Sequence, residues 1–140
     1  MKQTRSMEET MEYFAKSENS QGHQETVKEH LQQVAALALT YGEPMGMRGE
    51  AELAGQVHDF GKYSEEFRKV LAGKCVRRDH ALGGACFLEC CYRGSVASRP
   101  VVEAVNGHHD GLVAYDMILF AYLCLINARR AVIRPSALLR

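Results

Sequence analysis

Apolar residues recur along this chain at the three- and four-residue spacing of an amphipathic helix. No segment alternates clearly between apolar and polar residues as a half-buried strand does. One long apolar stripe is formed by Val27, Leu31, Val34, Ala35 and Ala38. It predicts a helix over residues 24–41, with Gly42 as its C-terminal stop.

Capping residues, glycines and prolines predict where the other helices begin and end. Ser6 and Glu9 have the spacing of a capping box before a short helix that ends near Lys16. Further predicted helices cover about residues 49–60, 64–73, 79–91, 100–107 and 116–130. Successive helices with short connections predict an all-α, compact helical bundle, and the length of 140 residues suits a single domain over residues 1–140.

Composition and charge change this picture little. Hydrophobic residues make up 46% and charged residues 24%, as in an ordinary globular protein, and the formal net charge is zero. If the protein binds nucleic acid, the contacts must therefore come from a local basic patch or from the site itself. The first residues lack the apolar stretch of a signal peptide, and the longest apolar run, 117–126, is too short to cross a bilayer. We expect a cytoplasmic protein with no membrane contact.

The cysteines give little chemical signal. There are five, an odd number, and no C-x-x-C pair occurs among them. Cys86 and Cys90 lie one helical turn apart, but no second pair at zinc-site spacing accompanies them. The sequence favours reduced cysteines packed as small hydrophobic residues over a soft-metal site.

The histidines carry the chemical signal. All except His23 lie at a predicted helix end or on an apolar helical face, namely His30, His58, His80, His108 and His109. A single histidine in such a place is usually a hydrogen-bonded core residue. For each of these histidines, that structural role is the alternative to a role as a metal ligand. Five histidines share this placement, and Asp59 lies next to one of them. We therefore predict that helix packing brings them together in one site. Neutral imidazole and carboxylate together are ligands for divalent metals.

Three segments resemble a known family. The segment HDFGK at 58–62 resembles the signature of the HD phosphohydrolase superfamily, and His30 fits the earlier helical histidine of that pattern. The segments DHALGGA at 79–85 and HHDGL at 108–112 make the chain similar to the CRISPR-associated HD nuclease. The similarity covers about residues 25–112 and is weaker to 130. It implies a helical bundle of the HD-domain type.

The resemblance also implies a ligand set for one or two divalent ions. It assigns a first ion to His30, His58 and Asp59. It gives Asp59 the catalytic role of bridging to a second ion, held by His80, His108 and His109. The ligand types leave the metal open among Mn, Fe, Co, Ni, Mg and Zn. Lys62 is close enough to the HD pair to act in catalysis by pairing with a phosphate, and the alternative is a solvated surface lysine.

One position departs from the family pattern. The family ends its ligand set with an aspartate on a late helix, where this chain has Asn127. A neutral amide oxygen binds a hard cation more weakly than a carboxylate does. Three alternatives follow: Asn127 is a weak ligand, Asp116 or Asp110 replaces it, or the first metal is lost or labile.

The implied function is hydrolysis of single-stranded DNA by a metal-dependent nuclease in CRISPR interference. No helicase motif is present, so the expected partners are single-stranded DNA, a separate CRISPR helicase subunit and the effector complex. One alternative is an HD phosphohydrolase acting on nucleotides or other small phosphoesters, although the minimal superfamily pattern does not require His80 or the pair His108-His109. Another is a catalytically weak docking subunit, which Asn127 supports. Basic residues that could follow a DNA backbone, or simply be solvated, are Arg68, Lys69, Lys74, Arg77, Arg78, Arg129, Arg130, Arg134 and Arg140.

Overall fold

The computed structural model of the chain describes residues 12–76, 79–92, 98–112, 115, 117–118 and 122–124. The part it describes is all-α, as the sequence predicts, and contains no β-strand. Its helices are α1 (Val27–Gly42), α2 (Arg48–Val57), α3 (Glu65–Leu71), α4 (Ala81–Tyr92) and α5 (Arg99–Gly107). Two short 3-10 helices, Glu43–Met45 and Phe60–Tyr63, follow α1 and α2. No helix within these ranges is long and apolar enough to span a membrane.

Helix α1 packs most extensively on α2, and a glycine sets how close the two helices come. A Cβ added to Gly55 of α2 would lie 2.6 Å from the Cα of Ala35 in α1. A side chain there would push the helices apart, because real Cβ atoms do not approach a backbone that closely. Gly55 therefore lets α2 lie directly against α1.

The main core lies between α2, α4 and α5. Its buried residues are Val57, Ala85, Leu88, Val101, Val102, Val105, Tyr115 and Ile118. Gly84 of α4 faces the carbonyl of Val57 at the end of α2 and leaves no room for a Cβ. A smaller cluster of Ala15, Val27 and Leu31 packs beneath the start of α1. The main core thus joins the end of α2 to α4 and α5.

The start of α1 differs from the prediction. The helix begins at Val27 and not near residue 24, because Thr26 and Glu29 form a capping box. The Thr26 hydroxyl accepts from the Glu29 amide over 3.2 Å, and the Glu29 carboxylate accepts from the Thr26 amide over 3.0 Å. The sequence interpretation missed this cap.

The predicted short helix ending near Lys16 is wrong over residues 12–16, and residues 1–11 lie outside the described part. Phe14 instead forms an isolated antiparallel bridge with Thr26. The amide of Val27 donates to the carbonyl of Tyr13 over 2.8 Å, so this segment satisfies backbone groups at the start of α1.

The helix predicted over 49–60 is shorter than expected. It ends at Val57, and the backbone leaves helical geometry at Asp59, where φ is −106° and ψ is 21°. The predicted caps of the next two helices are present: Ser64 accepts from the amide of Phe67, and Asp79 accepts from the amide of Ala81. Because of this break at Asp59, the residues after it do not continue the helix α2.

The last predicted helix, 116–130, is described only in part. Tyr115, 117–118 and 122–124 are helical, whereas Asp116 and Asn127 lie outside the described residues. The Tyr115 hydroxyl donates to the buried carboxylate of Glu89 over 2.6 Å and ties this segment to α4.

The cysteine prediction is half right. All five thiols are free, but only Cys86 is partly buried, and Cys75, Cys90, Cys91 and Cys124 are exposed. The expectation that they pack as small hydrophobic residues is therefore wrong for these four.

Two helical glycines test the close approach of α4 to α2. We expect Gly84→Ala to destabilise the domain by about 1–3 kcal/mol, because the added methyl overpacks against the Val57 carbonyl. Gly49→Ala in α2 has open space around its Cβ and should be neutral or stabilise by up to about 1 kcal/mol. Urea unfolding of the two variants measures the difference, and equal stabilities would contradict this packing.

Candidate metal centre

The centre is built around the carboxylate of Asp59. Its position just after α2, where the backbone leaves the helix, turns the side chain inward, and the residue is only 3% exposed. A buried carboxylate must be compensated by hydrogen bonds and positive charge. The structure supplies different partners to its two oxygens.

The first oxygen, Oδ2, faces α1 and the HD segment itself. The Nε2 atoms of His30 and His58 lie 2.9 Å and 3.2 Å from it, and the Nζ of Lys62 lies 2.7 Å from it. His30 comes from the first turns of α1, and His58 caps the C-terminal end of α2. One face of the carboxylate is thus surrounded by two imidazoles and an ammonium group.

The second oxygen, Oδ1, faces the start of α4 and the end of α5. The Nε2 atoms of His80 and His108 lie 3.0 Å and 3.2 Å from it. The Nε2 of His109 lies 2.8 Å from the Nε2 of His80, so it reaches the same place through a second imidazole. The Nδ1 of His80 is buried and makes no hydrogen bond to the described part of the chain.

Two of these rings have their other nitrogen committed to a carbonyl. The Nδ1 of His58 lies 2.9 Å from the carbonyl oxygen of Gly55, and the Nδ1 of His108 lies 2.6 Å from that of Val105. A carbonyl oxygen only accepts, so each Nδ1 carries a proton and donates it. If the ring is neutral, its Nε2 is a bare lone pair that points at the Asp59 carboxylate.

Lone pairs facing a carboxylate repel it unless a cation lies between them. Either a second proton on each ring or a metal ion relieves that repulsion. Burial lowers the pKa of His58, but its hydrogen bonds to Asp59 and Gly55 outweigh burial, and the net pKa is raised. A raised pKa favours the second proton on His58, and a divalent ion bound at Nε2 would take the place of that proton.

The Asp59 carboxyl is held ionised. Burial raises its pKa, but its contacts with His58, His80 and Lys62 outweigh burial and hold the pKa well below its usual range. A borderline divalent metal binds a carboxylate together with imidazole nitrogens, which are the groups gathered here.

Glycines of the signature bring the backbone segments of the site into contact. A Cβ on Gly61 would collide with the carbonyl of His80, and a Cβ on Gly83 would lie 2.7 Å from the Cα of Gly61. The segment after Asp59 can therefore lie directly on the loop that carries His80. This close approach gives a physical reason for glycine at these positions in HDFGK and DHALGGA.

The structure brings the sequence-predicted histidines and Asp59 together. Their nitrogen and oxygen atoms form two sets, each with all its atoms within 4.8 Å of one another. One set is His30, His58 and Asp59, and the other is Asp59, His80, His108 and His109. Asp59 belongs to both, as the resemblance implies, and the metal-binding roles stay predictions.

The remaining predicted site residues lie differently. Lys62 is only 8% exposed, so the solvated-surface alternative for it is wrong, and its contact with a phosphate stays a prediction. Asp110 is exposed and belongs to neither set of the described residues. Asn127 and Asp116 lie outside the described residues.

Sequence reasoning missed Glu25. Its Oε2 lies 3.4 Å from the Nδ1 of His30 and 3.0 Å from the Nζ of Lys16. Thr26 is the N-cap of α1, so Glu25 and His30 occupy the two positions that contact each other in a hydrophobic staple. Recognising the capping box from Thr26 and Glu29 would have placed this carboxylate beside His30.

No family model, no curated protein and no solved structure matches this chain at a significant level.

Single substitutions should separate the two sets of ligands. We expect the protein to bind two Mn²⁺ ions. His30→Ala should weaken one binding step and His109→Ala the other, each by more than about 10-fold, while Asp59→Asn weakens both. Cys90→Ser, an exposed thiol on α4, is the control and should change neither step.

Isothermal titration calorimetry and metal content of the dialysed protein measure these steps. An Asp59→Asn variant that keeps the wild-type affinity at either step would contradict a shared carboxylate. So would His30→Ala and His109→Ala acting on the same step.

Proposed function

We propose that this protein is a metal-dependent phosphodiester hydrolase that degrades single-stranded DNA. One observation carries the proposal. Asp59 is buried between two sets of imidazoles, and the Nδ1 atoms of His58 and His108 donate to carbonyls, so their Nε2 atoms face the carboxylate and are the nitrogens that could bind a metal ion. A two-ion centre sharing a carboxylate accounts for this arrangement better than a set of structural core histidines does.

Hydrolysis of a phosphodiester needs an activated water molecule, neutralised phosphoryl oxygens and a stabilised leaving oxygen. Divalent ions bound at the two sets would supply these effects as Lewis acids. The protein's own part is to hold the donors rigidly. Asp59 is fixed by its imidazole contacts, and the rings of His58 and His108 are oriented by backbone carbonyls.

Lys62 is the cation that we assign to the substrate. Its ammonium group lies 2.7 Å from the Asp59 carboxylate and 5.5 Å from the ring centre of Phe67. It is therefore a fixed positive charge at the edge of the centre. We propose that it contacts a phosphate oxygen of the bound strand.

Helix α3 supports a nucleic-acid substrate. Phe67 packs its ring edge-on against His80, which places α3 next to the centre. The same helix carries Lys69 and Arg68, whose guanidinium pairs with Glu65 over 2.8 Å, and Lys74 follows the helix; Lys69 and Lys74 are exposed. Lysine and arginine side chains beside the site are suited to contacts with the phosphates of a DNA backbone.

The proposed biological role comes from the resemblance of the three motifs. We propose that the protein acts in CRISPR interference with a separate helicase subunit and the effector complex. The helicase would supply the single strand.

A nucleotide phosphohydrolase is the second candidate, and one feature favours it. An apolar groove of about 410 Å³ lies between α1, α2 and α5, and its lining includes both His58 and His108. Val34, Ala54 and Ala104 contribute to its apolar walls. A mononucleotide with its phosphate at the centre could place its base in this groove.

The two candidates predict different substrates. We expect the protein to degrade circular single-stranded DNA with Mn²⁺, Co²⁺, Ni²⁺ or Fe²⁺ and to release little phosphate from mononucleotides. Asp59→Asn should lower the rate below about one-hundredth of wild type, since it removes a shared ligand. Cys90→Ser should retain it.

A fluorescence assay on the circle and a phosphate assay on mononucleotides measure both activities under the same conditions. Phosphate release with intact DNA would favour the second candidate. Metal binding without either activity would favour the docking subunit.

A further inference from the structure

We infer that Glu25 is a positioning residue that orients His30 and raises its affinity for a metal ion. The carboxylate lies 3.4 Å from the Nδ1 of His30, and the Nε2 on the other side of the ring lies 2.9 Å from Asp59. A carboxylate accepting from Nδ1–H fixes the ring orientation and leaves Nε2 as the donor toward a metal.

Glu25 is itself held in place from two sides. The Nζ of Lys16 lies 3.0 Å from its carboxylate, and the amide of Ala15 donates to its backbone carbonyl over 2.8 Å. Its hydrogen bond with Lys16, opposed by burial, and its interaction with His30 lower the pKa of Glu25. The segment 13–16 thus anchors the carboxylate against the start of α1.

The partner of His30 differs in kind from those of two other rings. His58 and His108 donate to neutral backbone carbonyls, whereas His30 faces an ionised carboxylate. A charged acceptor raises the basicity of Nε2 more than a neutral carbonyl does. The resemblance implies that Asn127 replaces a carboxylate ligand of the first ion. Negative charge next to His30 would then strengthen the binding of that ion.

The inference rests on the metal-binding role proposed above, and zinc affinity tests it without requiring turnover. We expect Glu25→Ala to weaken one of the two Zn²⁺ binding steps of the full chain by about 10- to 100-fold. Glu25→Gln, whose amide oxygen still accepts from Nδ1–H, should recover part of that loss. Glu43→Gln is the matched control: Glu43 also pairs with a basic side chain, Arg48, and it should leave both steps unchanged.

A second measurement separates positioning from general stability. In the zinc-loaded protein, the Nδ1–H proton of His30 should give a slowly exchanging NMR signal. Glu25→Ala should remove that signal and leave those of His58 and His108 in place. Unchanged zinc affinity, or a His30 signal that persists in Glu25→Ala, would overturn the inference, as would a wild-type protein that binds no zinc.

The outcome for Glu25 is separable from the outcome for the nuclease. Glu25-dependent zinc affinity in a protein that leaves DNA and nucleotides intact would support the positioning role and remove the proposed activity. DNA cleavage by a protein whose zinc affinity does not depend on Glu25 would support the proposed activity and remove the positioning role.

Discussion

A buried carboxylate surrounded by imidazole nitrogens is the constraint on which the rest of this structure depends. Asp59 is 3% exposed, and leaving such a charge uncompensated costs several kcal/mol. Lys62 offsets part of that cost in the protein itself. The imidazoles of His58 and His108 do so only when they carry a second proton or share a cation with the carboxylate, because their Nδ1 protons are already donated to carbonyls.

The helices are placed so that their ends meet at this carboxylate. His58 follows α2, His80 precedes α4 and His108 follows α5, while His30 lies near the start of α1. Side chains at helix ends converge only if the backbones approach closely. The glycines at these crossings allow it: Gly55 against α1, Gly84 against the end of α2, and Gly61 against His80. The packing of the helices therefore determines the geometry of the site, and overpacking at a helix crossing would disturb both.

Periodicity and caps predict the elements because they act locally. Ser64 and Asp79 cap the helices that the sequence assigned to them, and the break after α2 falls at the HD pair. The capping-box spacing of Ser6 and Glu9 predicts a helix that includes residues 12–16, but pairing with the segment before α1 satisfies their backbone instead. That pairing is a tertiary effect, and no local pattern encodes it.

The composition of the site could be predicted further than its arrangement. Histidines on apolar faces and the three motifs pointed to the residues that the structure brings together. Which imidazoles face which oxygen of Asp59 depends on the crossing of α1, α2, α4 and α5. The burial of Lys62 against Asp59 and the contact of Glu25 with His30 depend on it as well. The contact between Glu25 and His30 had one local indication in the sequence: Glu25 precedes the N-cap residue of a capping box, where a residue contacts the fourth residue of the helix.

The central claim is that the Asp59 carboxylate lies between two metal ions. Anomalous diffraction from crystals of the full chain grown with Mn²⁺ tests it directly. We expect two anomalous peaks about 3.5–4 Å apart. One should lie among His30, His58 and Asp59, and the other among Asp59, His80, His108 and His109. Mn²⁺ bound elsewhere, with the Asp59 carboxylate contacting only Lys62 and protonated imidazoles, would contradict it.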